Sequence, residues 1–203
     1  MALLLGILLS VRLPAADGPG GDPGPDRMAF DAALRSFSIG AYPRAAEEFA
    51  TFTTRFPDSP LLAEAARRAL YARAEAEAAR KDFAAAGRSF GEYLTRHPGS
   101  DLVLRASVRL AECLLRSGQP GPAAAVLDQP DGPLVRARAE GRPADLLRAG
   151  ILLAAEAHLA AGDSVRARSA VAAAAPFTTT PPEEWDRLRL EVRILEASGD
   201  ARD

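Results

Sequence analysis

GAYPRAAEEFATFTTRFPDSP, Gly40 to Pro60, is echoed by KDFAAAGRSFGEYLTRHPGSD, Lys81 to Asp101. Tyr42 answers to Phe83, Ala45 to Ala86, Phe49 to Phe90, Phe52 to Tyr93, Pro57 to Pro98 and Ser59 to Ser100, always at an offset of 41 residues. A sentence repeated at fixed spacing marks one supersecondary unit used more than once. Working outward, helix breaks recur at Gly40, Lys81-Asp82, Gly118, Gly162 and Gly199, at intervals of 41, 37, 44 and 37 residues. Between the breaks Ala, Leu, Arg and Glu dominate, and no alternating β-branched run is long enough for a strand. From Arg27 onward the pattern predicts an all-α solenoid of about four to five helix-turn-helix units, each stabilised by stacking on the next.

The local grammar after each break is shared. GAYPRAAEEF, KDFAAAGRSF, GQPGPAAAVL and GDSVRARSAV place a small residue five positions in: Ala45, Ala86, Ala123 and Ala167. Four residues later come Phe49, Phe90, Leu127 and Val171. Where two helices cross closely, one presents a methyl, and a large side chain one turn on fills the wedge that opens. Pro57 and Pro98 stand eight residues after Phe49 and Phe90. This pattern resembles the tetratricopeptide repeat, whose second helix has that Ala and Phe spacing and a terminating proline. The resemblance covers Arg27 to Gly199, is strongest in the first two units and weakest in the third, which carries Pro120 and Pro122 at its helix start. Ala33, Ala74, Ala111 and Ala155 keep the small residue of the first helix, while the aromatic usual near it is mostly missing. RFPDSP and RHPGSD further resemble periplasmic, lipoprotein-like members of the Tol–Pal and outer-membrane-assembly type.

The resemblance implies a right-handed solenoid whose first helices line a concave groove for a partner peptide or domain. Carried over position by position, the groove residues are Arg68, Tyr71 and Glu75 in the second unit, Arg105, Val108, Glu112 and Arg116 in the third, and Leu152 and Glu156 in the fourth. Glu75, Glu112 and Glu156 share one repeat position. They are either an acidic ladder preferring Arg or Lys in the partner, with Tyr71 as aromatic anchor, or merely solvated glutamates of a surface helix.

The bulk numbers fit this outline. The chain has 203 residues, 48% hydrophobic and 26% charged, with net charge −2, so no overall basic field draws it to nucleic acid. Cys113 is the sole cysteine, which rules out an intrachain disulfide and a cysteine-rich metal site; it reads as a small apolar helix residue. The two histidines, His97 and His158, lack spaced metal partners and read as structural. Neither a glycine-rich phosphate loop, a serine elbow nor paired carboxylates occur, so catalysis and a cofactor are not expected.

Residues 1–16 are different in kind. Ala2 to Val11 is apolar and too short to span a bilayer, which takes ~20 residues. With small residues near Ala16 it reads as a signal peptide and points to export to the periplasm, although no positive residue precedes the apolar run. An apolar start on a cytosolic protein is the alternative. No cysteine follows for lipid attachment. Residues 17–26 read as a Gly/Pro-rich flexible linker and 27–203 as the repeat domain. Gln129 to Pro143 lengthens one connection, as a surface insertion or a binding loop, with a short helical piece over Val135 to Ala139. The last helix is expected from Glu183 to Ala197, behind Pro181-Pro182. SGDARD after it is either the solenoid's polar end or the cut edge of a longer protein.

Taken together, the expected function is a non-catalytic protein-binding scaffold acting in bacterial envelope organisation or outer-membrane assembly. The alternative is a cytosolic adaptor, or the regulatory module of a longer protein.

Overall fold

The computed structural model describes residues 24–140 and 143–199. Among these the chain forms ten α-helices and no strand: α1 Pro25–Ser38, α2 Tyr42–Arg55, α3 Leu62–Ala79, α4 Phe83–Arg96, α5 Val103–Arg116, α6 Pro120–Leu127, α7 Pro133–Ala139, α8 Ala144–Ala160, α9 Ser164–Ala174 and α10 Pro181–Ser198. Helices α1, α3, α5, α8 and α10 are first helices of repeat units; α2, α4, α6 and α9 are second helices. The segment read as a signal peptide and residues 17–23 of the linker lie outside the described residues. Pro25 and Asp26, read as the end of that linker, instead form the first turn of α1. The Asp26 carboxylate accepts from the Ser59 hydroxyl at 2.7 Å, which ties this turn to the repeat.

The break residues act by backbone conformation. Gly40, Lys81, Gly118, Gly162 and Gly199 all sit in the left-handed region, with φ between 63° and 83°. In the four turns whose following residue is described, the N–H after the left-handed residue bonds five residues back. Ala41 donates to Ser36 O, Asp82 to Glu77 O, Gln119 to Leu114 O and Asp163 to His158 O, at 2.9 to 3.1 Å. This Schellman closure satisfies carbonyls at the end of the first helix and aims the chain into the second. Asp82 and Asp163 then cap α4 and α9, accepting from Ala85 N and Arg166 N.

Packing follows the small-then-large rule. Ala45, Ala86, Ala123 and Ala167 are fully buried, and Phe49, Phe90, Leu127 and Val171 beside them are at most 2% exposed. The first-helix alanines Ala33, Ala74, Ala111 and Ala155, each seven residues before the left-handed residue, are also fully buried. Three apolar clusters run in chain order along the stack. One joins α1 to α4 and reaches α5, a second joins α5 to α8, and a third joins α8 to α10. Phe37, Phe90 and Tyr93 surround Tyr71 at centroid distances of 5.4 to 5.6 Å, fusing the first two units.

The lengthened connection is more than a surface insertion. It folds into α7, two residues longer at its start than Val135 to Ala139, and Leu134 and Ala137 are buried in the second cluster between α5 and α8. Gly150 on α8 makes room for it, because a Cβ there would stand 2.8 Å from Leu134 Cδ1. Helix α10 begins at Pro181, behind a capping box between Thr180 and Glu183.

Candidate functional site: the first-helix face

Cross-helix pairs show the first helices lying side by side. The most enclosed pair joins α3 to α5. Arg109 Nε donates to both Glu75 oxygens at 3.1 Å and Nη2 to Oε2 at 2.8 Å, while Nη1 reaches Glu112. The Tyr71 hydroxyl donates to Glu75 Oε1 at 3.0 Å. Glu75 is therefore a buried carboxylate with its oxygens filled, and Arg109 lies 5.9 Å from the Phe90 centroid on its other side. Burial raises the Tyr71 phenol well above its usual range, and the Glu75 charge adds to this. Burial alone would lower the Arg109 guanidinium, but the hydrogen bonds and charge of Glu75, with Glu112 behind it, outweigh that and raise it.

This geometry corrects three of the nine groove residues. Tyr71 is fully buried and cannot anchor a partner; Val108 is buried; Glu75 is neither a free rung nor a solvated glutamate. A first-helix position points at solvent only where its neighbours leave room, and in the second unit aromatic packing takes that room. Glu112 is half-buried against Arg109, and Glu156 on α8 pairs with Arg193 on α10 at 3.6 Å. All three acids of the expected ladder thus already hold a guanidinium.

The remaining positions do face outward or partly so. Arg68 lies over the Phe37 ring at 5.3 Å and bonds Glu64 at 2.5 Å. Arg105 and Arg116 are exposed and form no ion pair among the described residues. Leu152 is half-buried between the second and third clusters. Beside it a cavity of about 350 Å³ opens between α8 and α10, lined by Leu152, Leu153, Glu156, Asp186, Arg189 and Arg193.

Residues outside the expected set also join helices. Arg148 Nη2 meets Glu183 Oε1 at 3.0 Å, fastening α10 to α8. Glu183 Oε2 accepts from the Thr179 and Thr180 amides at 2.8 and 3.0 Å, and these bonds hold its carboxyl down at about 2. His158 is buried, with Nε2 2.7 Å from Asp128 Oδ2, the pair bordering a cavity of about 220 Å³ walled by α6, α7, α8 and α9. The usable signal for Arg109 was a base one repeat after an acid: 34 residues separate it from Glu75, as 37 separate Arg193 from Glu156. Asp128 lies in an irregular connection, and no repeat spacing points to it.

Cys113 is buried, and burial pushes its thiol up to about 11, away from the reactive thiolate. His97 packs against Tyr93 with the rings tilted and their centroids 5.3 Å apart; burial and then Arg67 and Arg96 lower its pKa. No group of three metal-ligating side chains occurs among the described residues, and no described helix is long and apolar enough to cross a membrane.

Compared with known families, residues 68–100 match a family model described as Tetratricopeptide repeat. The match runs from Arg68 in α3 to Ser100 after α4, so the chain carries a tetratricopeptide repeat at its second unit. No curated protein matches the chain.

Proposed function

We propose that this chain is an exported, non-catalytic scaffold of the bacterial envelope that holds a protein partner along its first-helix face. The tetratricopeptide match at 68–100 supports protein binding. The observation that selects the partner's chemistry is the state of the charges. Glu75, Glu112 and Glu156 are already paired, whereas Arg105 and Arg116 stand exposed on the same face of α5 with no ion pair among the described residues. The face therefore suits a segment bearing Asp or Glu, the opposite of what an unpaired acidic ladder would select. Export rests on the apolar run Ala2 to Val11 with Ala15 and Ala16 behind it, and the envelope role on RFPDSP and RHPGSD.

The partner test is Arg105→Glu with Arg116→Glu in one chain. Co-purification from the native cell should fall about tenfold or more, as loss of two charge-assisted contacts implies. Undiminished capture by the folded variant would remove the acidic-partner reading. Export is tested by the N-terminal mass of the protein from fractionated cells. A periplasmic species starting near Asp17 supports it; an intact Met1 in the cytosol leaves an adaptor without an envelope role.

A further inference from the structure

The left-handed residues give the first helices a common register, and in that register α8 departs from α5. Eight residues before Gly118 stands Leu110, which packs on the first cluster beside Gly87 of α4. Eight residues before Gly162 stands Ala154, three carbons smaller. The second helices differ as well. Leu94, four residues after Phe90, packs on the first cluster. Asp131, four residues after Leu127, lies in an exposed turn at φ 57°, because α6 has already ended. Two leucines that help close the stack between the second and third units are thus missing between the third and fourth. Helix α7 closes that gap only in part, and what remains is the cavity of about 220 Å³ walled by α6, α7, α8 and α9.

Its lining is divided. Leu127, Leu134, Ile151 and Ala154 give it buried apolar walls. His158 is the buried polar group among them, 5% exposed and held by Asp128. Arg138 and Arg166 also line the cavity and are exposed. Arg138 forms no ion pair among the described residues, and Arg166 makes an exposed one with Asp163 at 3.5 Å. Two guanidinium groups against one carboxylate, itself bonded to His158, make the rim positive.

We propose that this cavity binds a small carboxylic acid carrying one apolar ring, the ring against the walls and the carboxylate at Arg138 and Arg166. Size and charge define the ligand together. A cavity of about 150 Å³ holds benzene, so 220 Å³ takes a ring with a short link to the acid. A drug-sized molecule needs about 300 Å³ or more and is too large. The apolar walls ask for no polar atoms on the ring, while guanidinium groups pair with a carboxylate through charge-assisted hydrogen bonds. The site is separate from the first-helix face, and its failure would leave the acidic-partner reading untouched.

The experiment titrates the full chain by calorimetry with hydrocinnamate, a phenyl ring two carbons from a carboxylate, and in parallel with its amide. The expected result is saturation at one acid per chain. The amide keeps the ring and loses the charge, so it should bind about tenfold more weakly or worse. Ala154→Leu restores the side chain that Leu110 supplies one unit earlier, and should abolish binding while the melting temperature stays level or rises. Arg138→Ala with Arg166→Ala, both at exposed positions, should weaken the acid about tenfold and leave the amide unchanged. Five results would overturn the proposal. The acid fails to saturate the chain. Acid and amide bind equally, so that charge plays no part. Ala154→Leu binds as before, which puts the ligand elsewhere. Ala154→Leu melts lower, which means that the space is not there. Or a short peptide ending in phenylalanine with a free carboxylate binds tenfold more tightly than the acid, which makes the ligand a chain terminus.

Discussion

Glu75 and Glu112 occupy the same repeat position, yet the structure gives them different work. Glu75 is buried and accepts from the Nε and Nη2 N–H groups of Arg109 and from Tyr71's hydroxyl. Glu75→Ala strands the phenol and the Nε and Nη2 donors of Arg109, which should cost about 1–3 kcal/mol. Glu112 is half-exposed and shares Arg109, so Glu112→Ala should stay within about 0.5 kcal/mol. Paired denaturant melts check this; equal losses would mean that Arg109 does not discriminate between them. Glu183 gives a pH prediction. Its carboxyl is held at about 2, principally by the Thr179 amide and then by Thr180, below the ordinary carboxylate value of 4.5. A depressed acid stabilises the fold above its unfolded pKa, so this contribution is intact at neutral pH and is lost as pH falls from about 4.5 towards 2. Glu183→Gln should flatten that acid limb in a pH series of melts, and an unaltered limb would contradict the assignment. Of these pairings only that of Glu75 with Arg109 left a trace in the sequence, a base 34 residues after an acid. A repeat position says which way a helix face turns, and burial depends on what the neighbouring unit happens to place there.

At the scale of the element, Lys81 is the exception among five left-handed closures that otherwise use glycine. A side chain at φ 63° is strained by roughly 1–2 kcal/mol, partly offset on replacement by glycine's freer unfolded chain. Lys81→Gly should therefore stabilise by roughly 0.5–1 kcal/mol, seen as a higher denaturation midpoint with unchanged m-value. A lower midpoint would show that the lysine side chain makes up for the strain. Ala86 tests the crossing itself. Ala86→Leu forces three extra carbons into a fully buried contact and should cost about 1–3 kcal/mol. If thermal melting ranked Glu112→Ala as the more damaging of the two, the repeat register would be wrong. Helix positions and turns were legible because glycine, proline and aspartate report backbone conformation locally: Asp82 caps α4, and Pro181-Pro182 mark the start of α10, which begins two residues before the expected Glu183. The packing of α7 was not, because seven residues carry too little periodicity to show that Leu134 turns inward against Gly150.

For the whole molecule, the offset of 41 residues between the first two units carried the all-α stacked architecture, since equal sentences bury equal faces. What the stack holds is a different matter. It depends on the few side chains left unpaired after the units have satisfied one another, and those emerge only when the neighbours are in place. Arg105 and Arg116 are such residues; Tyr71, Glu75 and Val108 are not. The central claim is that a partner lies along the first helices rather than against the outer, second-helix side. It is tested most directly by placing a photo-crosslinking residue at position 105 on α5 and, in a separate chain, at the exposed position 88 on α4. Irradiation in the native cell should give a discrete crosslinked protein from position 105 and none from position 88. Crosslinking from 88 alone would place the partner on the opposite side of the solenoid and contradict the account.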